Sequence, residues 1–274
     1  SIIDLSEQGN QPMCDDSGTL VIVYNGELYN YQTLRDKLKA HYSFHTNSDT
    51  EVILAAFKIW GPKCLNEFNG IFAFAIWNTV TRKLFIARDH LGIKRLYYYR
   101  SENFFLFASE IRGLLASNII DRKISRQGLV DLLSYQSVHE PSSMIKGAYQ
   151  LKAGYYAWVS HNHFLQTKYH DIADIEHVSA LSYDQTKKDV SKLFFNAVGN
   201  QLVSDVPLAI FLSGGIDSSA IVAAASQISA SKVNTFSISF QEKKYDESHY
   251  ARFIAKKYNT EHHECEDPAT IFID

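Results

Sequence analysis

Cysteine is scarce in this chain, and its three residues are scattered. Cys14, Cys64 and Cys265 form neither an even disulfide framework nor the close spacing of a metal site, which indicates a reducing compartment such as the cytoplasm. The net charge is only −3, so the chain has no basic footprint for nucleic acid or for an anionic membrane. The sequence shows no apolar run of membrane-spanning length, no signal-peptide pattern and no internal repeat. What remains is the composition of a globular protein of 274 residues, a length typical of two domains.

The most informative stretch is residues 212–219, which read Leu-Ser-Gly-Gly-Ile-Asp-Ser-Ser. An apolar run precedes it and an alanine-rich run follows, which predicts a buried strand, a tight turn and a helix. Adjacent glycines let the backbone approach a ligand closely, and serine hydroxyls and free N–H groups at the helix start would then face one space, as in a phosphate cradle. The stretch lacks the lysine of a Walker loop and the Gly-x-Ser-x-Gly of a nucleophile elbow. An ordinary glycine connection between strand and helix is the alternative interpretation.

This loop resembles the pyrophosphate-binding loop of N-type ATP pyrophosphatases, which split ATP between its α and β phosphates to adenylate a substrate. The resemblance implies ATP as a cosubstrate and Mg²⁺ held by Asp217. It also implies that Leu212 and Ile238 border the adenine or the ribose. The ATP-binding residues so implied are Leu212, Ser213, Gly214, Gly215, Ile216, Asp217, Ser218, Ser219 and Ile238.

The first half of the chain alternates short strands and helices. Residues 20–24 predict a strand that ends at Asn25-Gly26, a pair typical of a hairpin or connecting turn, and Ser48 or Asp49 is expected to cap a helix further on. Apolar runs at 71–77, 83–87, 96–99 and 104–108 predict an antiparallel meander whose first and last strands are buried on both faces, and residues 149–159 predict a hairpin that turns at 152–154. The charges of Arg88-Asp89 and Lys94-Arg95 fall between strands, where solvated loop charges are expected.

Several segments of this half resemble class II glutamine amidotransferases. They stand in the family's order and comprise Ser-Ile-Ile-Asp at 1–4, Tyr-Asn-Gly-Glu-Leu-Tyr-Asn at 24–30, Ser-Asp-Thr-Glu at 48–51, Asn-Gly-Ile-Phe-Ala-Phe-Ala at 69–75 and Ala-Arg-Asp-His-Leu-Gly-Ile-Lys at 87–94. Followed by the Ser-Gly-Gly-Ile-Asp-Ser-Ser loop, the arrangement is similar to that of the glutamine-hydrolysing asparagine synthetases. One departure is Arg95, where that family usually has proline.

The resemblance implies functional roles for Asn25, Gly26 and Asp49, which the local sequence pattern alone assigns to a turn and a helix cap. The Asn25 side chain and the Gly26 N–H would form the oxyanion hole for hydrolysis of the glutamine amide, because such donors must be fixed before charge develops. Glu27 and Asp49 would hold the polar α-groups of glutamine. The implied glutamine-binding residues are Ile2, Ile3, Asn25, Gly26, Glu27 and Asp49.

The family's nucleophile, an N-terminal cysteine whose own amine is the general base, is not among these residues. Cys14, Cys64 and Cys265 are interior to the chain and carry no free α-amine. Since the sequence starts abruptly at Ser1, we expect a natural polypeptide that begins upstream with that cysteine, and a fragment cropped at both ends that does not itself hydrolyse glutamine.

Two fold classes are predicted in succession. The resemblance implies that residues 1–167 form an α+β N-terminal nucleophile hydrolase sandwich with the layer order αββα, and the polar residues 168–181 are expected to form a linker. Residues 182–274 alternate helices and strands, which predicts an α/β unit with a Rossmann-like parallel sheet, the partial ATP pyrophosphatase domain, and an ATP site at the carboxyl ends of its strands.

The function implied is glutamine-dependent, ATP-driven amidation of aspartate through a β-aspartyl-AMP ester, with glutamate, AMP and pyrophosphate as the other products. The expected partners are glutamine, aspartate and ATP, in an assembly for which a homodimer is allowed. The same architecture could amidate another carboxylate, such as a sugar acid or a β-lactam precursor, or persist as a non-catalytic nucleotide- or glutamine-binding remnant. His262, Glu264 and Glu266 would share one face of a strand, but they do not make a closed metal site.

Overall fold

The structure is a computed structural model that describes residues 3–4, 6–161, 163–174, 181–242, 244 and 246–267. These residues form two compact units, one before and one after the gap at 175–180. The domain boundaries given above stay a prediction, and residues 175–180 of the predicted linker lie outside the described residues.

The first unit contains two antiparallel sheets. The larger has the strand order β1-β2-β3-β4-β8-β9 and the smaller has the order β6-β5-β7. The strands are β1 (Met13–Cys14), β2 (Leu20–Leu28), β3 (Gly70–Asn78), β4 (Lys83–Arg88), β5 (Tyr97–Arg100), β6 (Phe105–Ala108), β7 (Ala148–Gln150), β8 (Tyr155–Ser160) and β9 (His163–Lys168), and the helices are α1 (Tyr31–Leu38), α2 (Asp49–Trp60), α3 (Ile111–Leu115) and α4 (Arg126–Tyr135).

Packing of these elements gives four layers. Helices α1 and α2 bury one face of the larger sheet around Phe72, Phe74 and Phe85, each at most 1% exposed. On the opposite face the side chains between the two sheets are smaller, with Ala73 and Ala75 packed near Tyr98. The outer face of the smaller sheet is covered by α3. The predicted αββα order is therefore confirmed.

Three strand predictions for this unit were wrong. Residues 71–108 are not one meander, because β3 and β4 belong to the larger sheet while β5 and β6 pair in the smaller one. Residues 149–159 are not a hairpin, since β7 pairs with β5 and β8 pairs with β4. Residues 105–108 are only half-buried, because β6 lies at an edge of its sheet. Runs of apolar residues show where strands occur but not which strands pair.

The second unit is a three-stranded parallel sheet with helices on one face. Its elements are α5 (Tyr183–Asn200), β10 (Ala209–Phe211), α6 (Ile216–Ile228), β11 (Asn234–Phe240), α7 (Ser248–Tyr258) and β12 (Glu261–Asp267). β10 pairs with β11 and β11 with β12, all in parallel, so the predicted parallel sheet is confirmed. Leu212 and Val222 pack with Ala251 and Ala255 of α7, which places α6 and α7 on the same side of the sheet.

The turn between β1 and β2 is organised by a buried carboxylate. Asp15 accepts the N–H groups of Thr19 and Leu20, each at 2.9 Å, and the hydroxyl of Ser17 at 2.7 Å. Lys58 of α2 lies 2.7 Å from the same carboxylate. Burial on its own would raise the pKa of Asp15, but the hydrogen bonds from Leu20, Lys58 and Ser17 outweigh it and hold the pKa at about 2.

This shift predicts an acid-dependent loss of stability. Because the folded pKa lies below the reference value of 3.8, Asp15 stabilises the fold above that value, and the contribution disappears as the pH falls toward 2. Between pH 6 and pH 2 we expect Asp15→Asn to lose about 2 kcal/mol less of its free energy of unfolding than the unsubstituted chain. Urea titrations followed by tryptophan fluorescence would measure this, since all three tryptophans lie in the first unit.

Asp36→Asn is the matched control, because Asp36 is 74% exposed in its pair with Lys39. This substitution should leave the loss of unfolding free energy between pH 6 and pH 2 unchanged. Equal acid-dependent losses in Asp15→Asn and the unsubstituted chain would contradict the prediction.

Candidate active sites

Asn25 and Gly26 lie inside strand β2, which corrects the prediction of a turn. Asn25 is paired with Ala73 and Gly26 with Phe72, and the ladder with β3 continues to Leu28. A Cβ on Gly26 would overlap the carbonyl oxygen of Ile71 and would lie 2.8 Å from the Phe72 Cα. The glycine is therefore needed for close approach of two strands rather than for a turn.

The Asn25 side chain is on the face of β2 that carries Val21 and Val23, toward the smaller sheet. Its Nδ2 donates a hydrogen bond to the hydroxyl of Ser109, which directly follows β6, at 3.0 Å. The residue is exposed, so the amide is available to a ligand. Sequence reasoning did not find Ser109.

Asp49 anchors the other side of this site. It is the first residue of α2, after Ser48, whose side chain accepts the N–H of Thr50 and caps the helix. The Asp49 Oδ2 accepts the N–H of Leu28 and the hydroxyl of Tyr24, each at 3.0 Å. Asp49 is only 5% exposed, and this burial raises its pKa against the opposing effect of those hydrogen bonds. Helix α2 thus holds a buried carboxylate against the strand that carries Asn25.

Glu27 adds a second carboxylate to the same place. Burial raises the pKa of Glu27, the negative charge of Asp49 raises it further, and Lys94 opposes both. Because the Asp49 charge makes ionisation of Glu27 more costly, a positive charge bound between the two carboxylates would relieve the repulsion. An ammonium group carries such a charge.

Ile3 is buried, at 4% exposed, in the chain segment that contacts the loop before α2. The next residue, Asp4, accepts the N–H of Asn47 at 2.8 Å, which brings this segment close to the start of α2 and to Asp49. Ile2, also predicted to line the glutamine pocket, lies outside the described residues.

Arg88 and Asp89 are buried, so the prediction of solvated loop charges is wrong for this pair, whereas Arg95 is exposed as predicted. Arg88 is 4% exposed and Asp89 is 1% exposed. Asp89 accepts the N–H groups of Phe72, Ile93 and Lys94 at 2.9–3.2 Å. It therefore connects the loop after β4 to β3, the strand that pairs with Gly26. Internal hydrogen bonds replace water around both charges, and a local sequence pattern does not show such partners.

In the second unit, the Ser-Gly-Gly loop connects β10 to α6. The Ser213 hydroxyl lies 3.0 Å from the Ser218 hydroxyl and accepts the N–H of Gly215 at 3.3 Å. Gly214 has a φ of +82°, a conformation that favours glycine. Helix α6 begins at Ile216 without a side-chain cap, so its first N–H groups are open to an anion.

The loop borders a cavity of about 380 Å³. Leu212, Ser213 and Ile238 line it together with Phe236, Glu247 and Ser248. Leu212 is buried at 1% exposed, whereas Ile238 is 53% exposed on β11. The structure thus brings the two residues predicted to border the adenine or ribose to one cavity beside the loop.

Asp217 is exposed in the first turn of α6, one residue from Ser218. A single carboxylate at a phosphate loop fits Mg²⁺, which in nucleotide sites keeps several waters and takes its other ligands from the phosphates. Among the described residues, no group of three or more His, Cys, Asp or Glu side chains is placed to hold a metal by itself. The His262 ring instead contacts the hydroxyls of Thr235 and Ser237 at 2.9 and 3.2 Å, and His263 stacks on Phe236.

Cys64 is buried, and burial raises its pKa, while Cys14 and Cys265 are exposed. Within the described part of the chain, no helix has both the length and the apolar character needed to cross a bilayer.

Both halves of the chain match known protein families. Residues 1–170 match the family model of a glutamine amidotransferase domain, and residues 189–269 match that of asparagine synthase. Asparagine synthetase [glutamine-hydrolyzing] 3 of Bacillus subtilis is 37% identical over 97% of this chain and 46% of its own length. Putative asparagine synthetase [glutamine-hydrolyzing] 2 of Methanocaldococcus jannaschii is 36% identical over 96% of this chain and 54% of its own length. Amidase chry2 of Gibberella zeae is 35% identical over 83% of this chain and 34% of its own length.

The layer order and the match of residues 1–170 define the first unit as a class II glutamine amidotransferase domain with the N-terminal nucleophile hydrolase fold. The chain therefore belongs to the glutamine amidotransferase family, and its second match and its relatives make it similar to the glutamine-hydrolysing asparagine synthetases. The chain spans about half the length of the two synthetases it matches.

Proposed function

We propose that the natural polypeptide makes asparagine from aspartate, with glutamine as the nitrogen donor and ATP as the activating cosubstrate, in the cytoplasm. The observation that carries this proposal is that Asn25 and Glu27 of β2 lie close to Asp49 at the start of α2. The glycine-rich loop before α6 in the second unit supports the use of ATP. Aspartate would be activated as a β-aspartyl-AMP ester, and attack of ammonia on that ester would release AMP.

In the first unit, the two carboxylates would bind the α-ammonium group of glutamine. Tyr24 keeps the Asp49 carboxylate oriented: burial and the Asp49 charge raise the pKa of Tyr24, so its hydroxyl stays a neutral donor. The Asn25 Nδ2 and the Gly26 N–H would stabilise the oxyanion of the tetrahedral intermediate, and the β2–β3 ladder fixes the backbone of both residues before any charge develops.

The nucleophile would come from a cysteine at the start of the natural polypeptide, upstream of Ser1. A cavity of about 690 Å³ between the two sheets could receive that segment. It is lined by Val21 and Val23, which precede Asn25 on the same face of β2, and by Phe105 and Phe107, which precede Ser109 in the smaller sheet. An extended apolar segment there would end beside the Asn25 amide. The 274-residue chain alone is then expected not to hydrolyse glutamine.

In the second unit, the Ser213 and Ser218 hydroxyls and the N–H groups at the start of α6 would hold the pyrophosphate part of ATP. Asp217 would hold Mg²⁺, which neutralises phosphate charge when bound. Gly214 and Gly215 let the backbone come close to the phosphates, while Leu212 and Ile238 border the cavity for the adenine or ribose. Ile216 and Ser219 complete the loop. These residues bind and orient ATP next to the acceptor.

The test uses the natural full-length polypeptide with ATP, Mg²⁺, aspartate and glutamine labelled with ¹⁵N in its amide. We expect ¹⁵N-asparagine, glutamate, AMP and pyrophosphate in equal amounts by mass spectrometry, and pyrophosphate exchange into ATP that requires aspartate. Turnover with a different carboxylate in place of aspartate would overturn the acceptor assignment. ATP binding without any acceptor-dependent exchange would leave the binding remnant as the correct interpretation.

Gly214→Ala provides a sharper test of the ATP half. A Cβ there would lie 2.7 Å from the Ala251 N and closer still to Tyr250, in a residue whose φ is already +82°. Strain of this kind amounts to about 1–3 kcal/mol, so we expect the Kd for ATP with Mg²⁺ to rise by about tenfold or more in calorimetry.

Gly199→Ala is the matched control, since its Cβ would meet only the side chain of Ile228 at 3.7–3.9 Å in a helix. An unchanged Kd for ATP in Gly214→Ala would remove the loop from the proposed site.

A further inference from the structure

A single side-chain hydrogen bond ties Asn25 to the opposing sheet. Its Nδ2 donates to the Ser109 hydroxyl at 3.0 Å, although the two residues are 84 positions apart in sequence. Asn25 is in the larger sheet, and Ser109 directly follows the last residue of β6 in the smaller one. The bond therefore links the two sheets beside Gly26 and Glu27, which are proposed to contact glutamine.

Both ends of this bond are on rigid supports. The backbone of Asn25 is held by its pairing with Ala73, in a strand whose ladder continues on both sides. Ser109 stands between Ala108, which pairs with the buried Tyr97, and the start of α3 at Ile111. Because strand pairing anchors the backbone of Asn25, and β6 and α3 flank Ser109, the hydroxyl can serve as a fixed point against which the amide is oriented.

The chemistry of a carboxamide makes such a fixed point useful. One end of the group carries two N–H bonds and the other a carbonyl oxygen, and only the N–H end can stabilise an oxyanion. The hydrogen bond to Ser109 uses one N–H and leaves the second for the oxyanion. We infer that Ser109 is a positioning residue that holds the Asn25 amide in the orientation required for glutamine hydrolysis, an inference that rests on the proposed function.

The effect should appear in catalysis rather than in folding. Asn25 is exposed and Ser109 is partly exposed, so water can replace the lost partner in the free protein. Ser109 has no place among the carboxylates proposed to bind the α-ammonium group, so glutamine binding should change little. Loss of the hydroxyl should instead let the amide rotate, and fewer molecules would present an N–H when charge develops.

The experiment measures glutamine hydrolysis by the natural full-length polypeptide. For Ser109→Ala we expect kcat to fall by about five- to tenfold, the size of one hydrogen bond, with KM within about twofold and an unchanged melting temperature. Ser109→Thr keeps the hydroxyl and should recover most of kcat. Ser101→Ala is the matched control: that hydroxyl also accepts a hydrogen bond next to β6, from the N–H of Phe104 at 3.1 Å, but it does not contact Asn25.

A double-mutant cycle separates positioning from a general structural role. In an Asn25→Ala background, Ser109→Ala should have no further effect on kcat, because its only route to the reaction has been removed. Independent, multiplicative losses would overturn the inference, as would an unchanged kcat in Ser109→Ala alone. Absence of glutaminase activity in the unsubstituted full-length protein would instead count against the proposed function, so the two failures are distinguishable.

Discussion

Replacing Arg88 with methionine is expected to lower the free energy of unfolding of the first unit by about 3–5 kcal/mol, because each buried acceptor left without a donor costs about 1–3 kcal/mol. The Arg88 side chain is 5% exposed and lies 2.5 Å from the Glu140 carboxylate. It also donates to the carbonyl oxygens of Lys94, Leu151 and Gly92 at 2.6–2.8 Å. Methionine fills part of the volume but leaves these acceptors without donors.

Urea unfolding with tryptophan fluorescence would measure the change, and Arg112→Met is the matched control. Arg112 pairs with Glu110 at the surface and is 85% exposed, so its loss should stay within about 0.5 kcal/mol. A decrease below about 1 kcal/mol for Arg88→Met would show that the buried network is dispensable. Hydrogen exchange at Ile93 and Lys94 should also become faster, because two of the released carbonyls belong to their loop.

The layer order was predicted from the resemblance to class II glutamine amidotransferases, whereas apolar runs and periodicity located individual elements, because they record burial. The short apolar run at residues 20–24, the longer apolar run at 71–77 and the strand-helix repeat after Pro207 each identify elements that the structure contains. Strand pairing was harder to predict from the sequence, as β5 and β7 show. The end of β5 and the start of β7 are 48 positions apart, and nothing in either strand identifies the other as its partner. Register depends on the whole fold rather than on a local pattern.

Asn25-Gly26 shows a different limit. The dipeptide is typical of a tight turn, yet here the glycine permits close approach to Ile71 and the strand continues. Arg88 and Asp89 show a third limit, since a charged pair between two strands is usually solvated and only the tertiary structure supplies Glu140 and the loop amides. Ser109 escaped notice for the same reason, because its partner is in the other sheet.

Replacing Asn25 with alanine is expected to lower kcat for glutamine hydrolysis by the natural full-length polypeptide by about 10²–10³-fold, as when one oxyanion donor is lost elsewhere. The alanine removes the Nδ2 donor and keeps the strand, because the pairing with Ala73 uses the backbone. Synthesis of asparagine from free ammonia needs no oxyanion hole for glutamine. Its rate should therefore stay within about twofold of that of the unsubstituted protein.

The ratio of glutamine-dependent to ammonia-dependent synthesis is thus the quantity to measure, because a folding defect would lower both rates together. Asn103→Ala, an exposed asparagine in the turn between β5 and β6, is the control and should leave the ratio unchanged. A fall of less than about tenfold in the glutamine-dependent rate would mean that another group stabilises the oxyanion. Asp49→Asn is expected to change KM rather than kcat. It removes a negative charge proposed to bind the α-ammonium group, so KM for glutamine should rise, while the Asn25 amide remains in place.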